Sequence, residues 1–495
     1  MTAGRAVLLI IAVGTVVRLL FAAATGLGYD ESYMVGNARD LALGYVDHPP
    51  LHVWIAGLAA RLFSSEAPLV VRLPFIALFA GSTWLMYRVA TRLFGAQAGL
   101  WATIAFSLAP VFSLNDGTFV LPDGPAIFFL LAAAIVVARI LFDERAIRAP
   151  TLLWLAAGVF AGLAMLSKFN AVFFPTAVFV YLLTIRDARR HLATPGPWLA
   201  AVVALAVLAP AIVWNLQHDF VGISFQAGRL AATGLRLAYL AQQVGGELLY
   251  LTPWLAVPFA ISLGRALLAG PRESKTWLMA LAAVGPIVVF TVVTIWSHGL
   301  PHWTMPGWLF AIPIFGRDAA ELAARQPVFA RRYMAAVAVV FAILFSAFFV
   351  QTTRGGLVPQ AIVAVHPGLD PTVDLVDWTD LKAALAERGL INPGMVVAAP
   401  SWTIAGKASY ALGAGVPVLC LCDKPLQFAF RADPTRFTGR DVIMIVPRGS
   451  EWIWDTVGRY FDALQPLDPV EIRRNGETVL AIDLRLGKNL HFPPK

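Results

Sequence analysis

Long apolar runs separated by short polar loops occupy the first 351 residues of the chain. A helix that crosses a bilayer needs roughly 20 apolar residues. Runs of about this length lie near residues 6–24, 68–92, 97–113, 124–141, 151–167, 170–186, 196–214, 247–268, 276–297, 302–317 and 333–351. The pattern therefore predicts a polytopic α-helical membrane protein, with about 11 transmembrane helices in a domain spanning 1–351.

The pattern changes from residue 352 onward, where no apolar run is long enough to span a membrane. Short buried strands and amphipathic helices are predicted instead. The strands lie near 395–399, 416–420 and 442–446, and the helices near 380–388 and 452–464. Because strands alternate with helices, we expect a small C-terminal α/β domain over 352–495.

Composition supports the membrane assignment, since 58% of the residues are hydrophobic and only 14% are charged. The formal net charge of +8 does not indicate a nucleic-acid partner, because the basic residues are scattered through short loops.

The two cysteines, Cys420 and Cys422, are separated by one residue. We interpret them as ordinary strand residues, because this spacing is poor for a disulfide and two ligands are too few for a structural zinc site.

Basic residues alternate between loops, which predicts the orientation of the chain. With a cytoplasmic N-terminus, the inner loops would hold Arg88, Arg92, Arg139, Arg145, Arg148, Arg186, Arg189, Arg190, Arg265, Arg272, Lys275, Arg317, Arg325, Arg331 and Arg332. The outer loops hold few basic residues but most of the unusual polar ones. An odd number of helices would also place the C-terminal domain outside the cytoplasm. We therefore expect one extracytoplasmic active site.

The first outer loop carries the strongest candidate chemistry, Asp30, Glu31, Asp47 and His48. A carboxylate beside a membrane could act as the base that takes a proton from an acceptor hydroxyl, or Asp30 could cap a helix that starts near Glu31. His48 precedes Pro49 and is therefore held in an extended conformation, which suits a fixed contact to an anion.

The later outer loops add cations and further polar groups. Lys168, Arg229 and His302 are candidates for binding a phosphate, and guanidinium geometry makes Arg229 the best of them. Two of these residues also have a structural alternative. Lys168 could extend toward the membrane surface, and His302 could pack on Trp303. Asp123, one of the acids discussed next, could serve as a helix cap with no other role. Candidates for positioning a sugar or an acceptor are Asp123, Asp47, Asn170 and His218. A divalent metal is possible, but no ligand spacing is diagnostic, so the metal and any other cofactor stay unknown.

The order of these motifs resembles the family 39 glycosyltransferases and their aminoarabinose-transferase relatives. The matching segments are Asp30-Glu31, Asp47-His48-Pro49-Pro50-Leu51, Pro122-Asp123-Gly124-Pro125, Leu166-Ser167-Lys168-Phe169-Asn170, Trp214-Asn215-Leu216-Gln217-His218-Asp219-Phe220, Pro301-His302-Trp303, Asp370-Pro371-Thr372 and Gly439-Arg440-Asp441. The resemblance extends over nearly the whole chain, because the matching segments are distributed along its length. His48 departs from the pattern, because the aminoarabinose transferases carry a lysine before their proline pair.

The resemblance implies a GT-C fold and an inverting transfer of a sugar from a polyprenyl-phosphate carrier to an acceptor outside the cytoplasm. Asp30 matches the catalytic carboxylate of loop one, Glu31 its partner and Asp123 the acid of loop two. The implied location is a bacterial inner membrane, with the active site and the C-terminal domain on the periplasmic side. The leaving group would be an anionic phosphate, so the site needs cations more than a general acid.

Several alternatives stay open at the level of sequence. The acceptor could be lipid A, the lipopolysaccharide core, another envelope glycan, or protein Ser/Thr hydroxyls as in protein O-mannosyltransferases. A lipid or solute transporter is a different class, but transporters place ionisable groups near the bilayer midplane, often within inverted repeats. A non-catalytic envelope assembly protein is a third class. Fold alone does not decide among them.

Overall fold

The computed structural model describes residues 2–143, 150–231, 234–359, 369–431, 433–450 and 452–492. Arg145 and Arg148, assigned above to an inner loop, lie outside the described residues. The chain divides into two compact units. The larger unit contains Met1–Leu19, Ala42–His52 and Leu73–Phe341, and the smaller unit contains Leu20–Leu41, Val53–Arg72 and Ala342–Lys495. The domain boundary proposed at residue 351 remains a prediction.

Membrane-length apolar helices dominate the chain, which confirms the predicted fold class. In the described ranges eight helical segments are long and apolar enough to cross a membrane. They are Ala3–Ala24, Pro68–Phe94, Asp123–Phe142, Pro150–Ser167, Gly196–Gln217, Pro253–Arg272, Ser274–Val293 and Pro327–Thr353. Two bent pairs, Ala96–Leu108 with Val111–Thr118 and Phe169–Thr184 with Arg186–Ala193, raise the number to ten if each counts as one span.

The span count is lower than the predicted 11 because one apolar run continues into a charged helix. Met305–Arg325 is buried over most of its first half, but its second half carries Arg317, Asp318 and Glu321. It packs closely on helix Ala96–Leu108, where a Cβ on Gly316 would lie 2.5 Å from the Ala98 carbonyl oxygen. The buried face of helix Met305–Arg325 therefore packs against other helices of the protein.

Small residues bring two of the membrane-length helices into direct backbone contact. Gly158 and Gly162 lie one turn apart on helix Pro150–Ser167 and face helix Gly196–Gln217. A Cβ on Gly158 would lie 2.4 Å from the Ala200 carbonyl oxygen, and one on Gly162 would lie 2.9 Å from that of Ala204. Such small-xxx-small pairs allow helices to approach closely within a membrane.

The larger unit also contains shorter helical segments, some of which belong to the two bent pairs. These are the one-turn helix Asp116–Thr118, the α-helices Phe173–Thr184, Val221–Leu230 and Leu237–Leu251, the π-helix Val111–Asn115, and the 3₁₀ segments Phe169–Val172, Arg186–Ala193, Gly270–Arg272 and Pro301–Thr304. The helix Leu51–Leu62 begins at the end of the loop that carries Asp47 and His48.

The smaller unit is built around a five-stranded mixed sheet. Its strands are β1 Val397–Ala399, β2 Val418–Cys420, β3 Val442–Pro447, β4 Ala463–Arg474 and β5 Glu477–Lys488. The order is β2-β1-β3-β5-β4, with β1 parallel to both β2 and β3 and the last three strands antiparallel. The three short strands predicted from the sequence are thus present.

Helices and the cysteine pair complete the smaller unit. Its helices are Tyr29–Ala38, Thr379–Glu387, Trp402–Leu412, Phe428–Arg431 and Ile453–Gly458, with 3₁₀ turns Pro371–Leu375 and Pro434–Phe437. The amphipathic helix expected over 452–464 is shorter than predicted, because β4 already begins at Ala463. Cys420 and Cys422 form a disulfide, so the prediction of ordinary strand residues is wrong. β2 ends at Cys420 and the two Cα atoms lie 5.6 Å apart, within the range of a disulfide.

Candidate active site

The Asp30-Glu31 pair lies in the first turn of helix Tyr29–Ala38 in the smaller unit. Gly28 precedes this helix and is its N-cap, so Asp30 is not the cap. The Gly28 N–H donates to the Glu31 carboxylate at 3.0 Å, which closes the first turn. Acids are stabilised in this position by the helix dipole.

Glu31 is buried and bound on both carboxylate oxygens by Arg72. The Arg72 Nε–H donates to Oε1 at 2.8 Å, and Nη2–H donates to Oε2 at 2.5 Å. The same guanidinium donates to the Thr25 hydroxyl at 2.8 Å and to the Gly26 carbonyl at 2.7 Å. Glu31 therefore fixes the turn, whereas Asp30 is exposed to solvent.

A second set of polar contacts holds the residues just before this helix. The Tyr29 N–H donates to Asp374 Oδ1 at 2.6 Å, and Lys407 Nζ donates to the carbonyls of Leu27 and Val376. Burial lowers the pKa of Lys407 to about 8 despite the neighbouring Asp374, and burial raises the pKa of Asp374. The backbone that presents Asp30 is thus held by buried groups of the C-terminal residues.

In the larger unit, Lys168 and Asp123 form a buried ion pair. Lys168 Nζ lies 2.6 Å from Asp123 Oδ1, and both residues are less than a tenth exposed. The Ser167 hydroxyl donates to the Pro122 carbonyl at 2.7 Å, which ties together the two segments that carry the pair. Lys168 is therefore held inside the protein and does not extend to the membrane surface.

His48 and His302 belong to the same cationic environment. Burial lowers the pKa of His48 well below its usual value, and His52, Lys168, Arg229 and His302 lower it further. The pKa of His302 falls to about 3, mainly through burial and then through Lys168, against the opposing effect of Asp123. Both imidazoles are therefore neutral near pH 7 in the protein without an anion. We call His48, Lys168, Arg229 and His302 the cationic cluster, after the basic side chains of Lys168 and Arg229.

Aromatic and backbone contacts position the remaining members of this region. The Arg229 guanidinium lies 4.7 Å from the Trp303 ring centroid, and its backbone carbonyl accepts from the Ser297 hydroxyl at 2.7 Å. Asn170 donates to the Trp303 carbonyl at 3.3 Å. Asn170 thus supports the segment that carries His302.

The loop that carries Asp47 is attached to helix Val221–Leu230. Gln226 donates to the Asp47 carbonyl at 2.5 Å, and Asp47 Oδ2 lies 4.0 Å from His48 Nε2. His218 instead stacks on Trp214, with ring centroids 4.3 Å apart, and its Nδ1 lies 2.8 Å from the Trp214 carbonyl oxygen. His218 therefore packs at the end of helix Gly196–Gln217, and its proposed role in positioning substrate remains a prediction.

Sequence reasoning missed three charged residues that support these groups. Arg72 binds Glu31, Lys407 holds the backbone before helix Tyr29–Ala38, and Glu247 is buried in the larger unit. Arg72 and Glu247 are isolated charges within apolar stretches, which is itself a signal of function in a membrane protein. Lys407 has no comparable signal, since it lies in an ordinary amphipathic helix. Over the described residues, no group of three or more His, Cys, Asp or Glu could hold a metal ion.

The chain combines membrane-length apolar helices, two bent helix pairs and a small mixed sheet in its C-terminal part. The crystal structure of ArnT from Cupriavidus metallidurans bound to undecaprenyl phosphate is similar over 97% of both chains, with a TM-score of 0.63 and 18% identity. Its apo structure gives a TM-score of 0.64. The chain therefore has the GT-C fold of the aminoarabinose-transferase-like glycosyltransferases, which confirms the resemblance seen in the sequence.

Sequence comparisons agree with this class. Residues 47–214 match the family model for dolichyl-phosphate-mannose-protein mannosyltransferase. Two relatives come from Rhizobium johnstonii: the lipid A galacturonosyltransferase RgtD, 28% identical over 40% of this chain, and the lipopolysaccharide core galacturonosyltransferase RgtB, 24% identical over 64%. The matched segments cover 40% of RgtD and 66% of RgtB.

Proposed function

We propose that the protein is an inverting glycosyltransferase that moves a monosaccharide from a polyprenyl-phosphate carrier to lipid A or the lipopolysaccharide core. The cationic cluster is the observation that carries this proposal, because it gathers basic side chains from several segments of the chain around the buried Lys168, which suits a phosphate. The names of the two galacturonosyltransferases, and the undecaprenyl phosphate bound to ArnT, support both the donor and the acceptor class.

The cationic cluster would stabilise the departing phosphate. Lys168 can donate to a phosphate oxygen while it remains paired with Asp123, and the planar guanidinium of Arg229 matches two oxygens. Charge that develops on the leaving oxygen is stabilised strongly by fixed donors in a site of low dielectric. An arriving anion would also favour protonation of His48 and His302, which would add positive charge only when the donor is bound.

Asp30 would act as the base in the transfer step. The acceptor oxygen attacks the anomeric carbon from the face opposite the phosphate, and the bond from that carbon to the phosphate oxygen breaks. The phosphate leaves with the bonding electron pair, and Asp30 takes the proton of the acceptor hydroxyl. Glu31 would keep the turn in place through Arg72 without touching the substrate.

We infer that the transferred sugar is a hexuronic acid. The two relatives named above are both galacturonosyltransferases, and a uronic acid adds a second anion to the donor. Two neutral histidines near Lys168 and Arg229 can each accept a proton when that anion arrives. A neutral hexose on the same carrier would bring the phosphate but not this second anion.

We further propose that the enzyme lies in a bacterial inner membrane with Asp30 and the cationic cluster on the periplasmic side. The support is the distribution of basic residues, which are concentrated in alternate loops. A polyprenyl-linked donor in the outer leaflet would then reach the site without a nucleotide.

The test is mass spectrometry of envelope glycolipids from a deletion strain that expresses the wild-type chain, Asp30→Asn or Asp423→Asn. Asp423 is an exposed aspartate of the smaller unit and serves as the matched control. We expect a lipid A or core species heavier by one hexuronic acid with the wild type and the control, and its loss with Asp30→Asn. An identical glycolipid profile in all strains, the deletion included, would contradict the proposed activity. A neutral hexose in place of the uronic acid would contradict only the sugar.

A further inference from the structure

A buried carboxylate, Glu247, lies on helix Leu237–Leu251 of the larger unit. Its Oε1 accepts from the Gln243 amide at 2.7 Å and from the Thr304 hydroxyl at 2.8 Å, and its Oε2 accepts from the Trp308 indole N–H at 3.2 Å. All three donors are uncharged. Among the ion pairs of the described residues, none includes Glu247.

Such a group is costly to bury. A carboxylate without a cation loses its hydration, and hydrogen bonds from neutral donors recover only part of that free energy. An apolar residue at this position would pack without the penalty. Charged residues that persist in such surroundings in membrane proteins are functional-site candidates by default.

Glu247 joins helix Leu237–Leu251 to the segment that carries His302. Thr304, which Glu247 binds, ends the 3₁₀ turn Pro301–Thr304. The same helix contacts the other end of the turn, because a Cβ on Gly246 would lie 2.2 Å from Pro301 Cγ. Helix Leu237–Leu251 therefore contacts both ends of the turn that contains His302 and Trp303.

The turn also supports Arg229. The guanidinium of Arg229 lies over the Trp303 ring, and Ser297, which precedes the turn, donates to the Arg229 carbonyl. A shift of the turn would thus move two members of the cationic cluster, His302 directly and Arg229 through Trp303.

We propose that Glu247 is a positioning residue for the phosphate-binding site, which holds the turn Pro301–Thr304 and through it His302 and Arg229. This inference rests on the proposed function, since it assigns a purpose to the cluster that binds donor phosphate. Glu247 does not touch the substrate. Its loss would weaken binding of the carrier phosphate and leave use of the acceptor unchanged.

The experiment compares purified full-length variants in nanodiscs by binding of polyprenyl phosphate and by transfer kinetics. Glu247→Ala removes all three hydrogen bonds, Thr304→Val removes one of them, and Gln242→Ala changes an exposed neighbour on the same helix. For Glu247→Ala we expect the donor KM and the Kd for polyprenyl phosphate to rise about 10- to 100-fold, since small displacements of positioning groups have effects of that size. Thr304→Val should show a smaller rise, and Gln242→Ala none.

Two further variants separate positioning from general damage. Glu247→Gln keeps the shape and one acceptor oxygen, so it should recover much of the carrier binding that Glu247→Ala loses. In a His302→Ala, Arg229→Ala background, Glu247→Ala should have little further effect on carrier binding, because the residues that Glu247 positions are gone.

The outcomes distinguish the inference from the function on which it rests. Wild-type protein that does not bind polyprenyl phosphate would contradict the proposed function. Wild-type protein that binds it, with unchanged Kd and donor KM in Glu247→Ala and Thr304→Val, would overturn the role of Glu247 alone. Equal increases in donor and acceptor KM would also overturn it, since they would indicate a structural defect. If Glu247→Ala does not fold, Thr304→Val decides the question, and an unchanged Kd and donor KM in that variant would overturn the role of Glu247.

Discussion

At the scale of single residues, two adjacent acids have separate environments. Glu31 is enclosed by Arg72 and by the Gly28 N–H, whereas Asp30, one position earlier, is exposed. Successive residues on a helix point about 100° apart, so one turn can bury one acid and present the other. The sequence shows the pair but not the division of tasks, because Arg72 lies 41 residues further along the chain.

Glu31→Gln tests this division. The change leaves the Arg72 guanidinium buried without its counter-charge, and loss of one partner of a buried pair costs about 3–5 kcal/mol. We therefore expect Glu31→Gln to lower thermal stability and activity together, whereas Asp30→Asn should lower activity alone. Thermal unfolding and transfer rates in the same detergent would measure both.

The double variant Glu31→Gln, Arg72→Met is the control for this prediction. It removes both charges, so it should be more stable than Glu31→Gln alone. A Glu31→Gln variant that is as stable as the wild type would show that the pair does not hold the turn.

The pKa of His302 leads to a prediction about stability and pH. In the folded protein its pKa is about 3, whereas an unfolded chain has a histidine pKa near its usual value. Between these values the unfolded state binds the proton and the folded state does not, so stability falls as the pH drops below about 6.5. We expect the melting temperature to decrease from pH 7.5 to 5.5, and to decrease less in His302→Asn.

Polyprenyl phosphate should reduce this pH dependence, because an anion beside His302 favours the protonated imidazole. Melting curves at both pH values, with and without the lipid, would show it. A melting temperature that falls equally in the wild type and His302→Asn would assign the effect to other groups.

At the scale of elements, local patterns in the sequence predicted most of the helices and three of the strands. Apolar length located the helices, and short β-rich runs located β1, β2 and β3. The β4–β5 hairpin was missed even though Asn475-Gly476 is a strong turn signal, with both residues at positive φ. One helix was predicted over 452–464, but the helix ends at Gly458 and a strand begins at Ala463.

The sequence predicted which residues belong to the candidate site, but it did not predict the contacts that hold them in place. Lys168, Asp123, His48, Arg229 and His302 were selected as polar or charged residues of the predicted outer loops, and the structure brings them into one electrostatic environment. The supporting contacts could not be predicted, since Glu247 meets Thr304 across 57 residues and Arg72 meets Glu31 across 41. No local pattern encodes such partners.

At the scale of the whole molecule, the distribution of basic residues predicts which loops face the periplasm. Leu235 and Asp219 lie in a loop that is poor in basic residues, whereas Arg272 and Arg325 lie in loops that are rich in them. All four are exposed, so a cysteine at each position is accessible to a reagent without disturbing a core. The energetic cost of moving Lys and Arg across the membrane favours the loops rich in them on the cytoplasmic side.

Single-cysteine labelling of intact cells with a membrane-impermeant maleimide tests that orientation, in a background in which Cys420 and Cys422 are both replaced by serine. We expect labelling of Asp219→Cys and Leu235→Cys in intact cells, and of Arg272→Cys and Arg325→Cys only after permeabilisation. Asp468→Cys, on an exposed position of β4, should label from outside if the C-terminal residues are periplasmic. The reverse pattern would place Asp30 and the cationic cluster in the cytoplasm, where a donor in the outer leaflet could not reach them, and would rule out the proposed reaction.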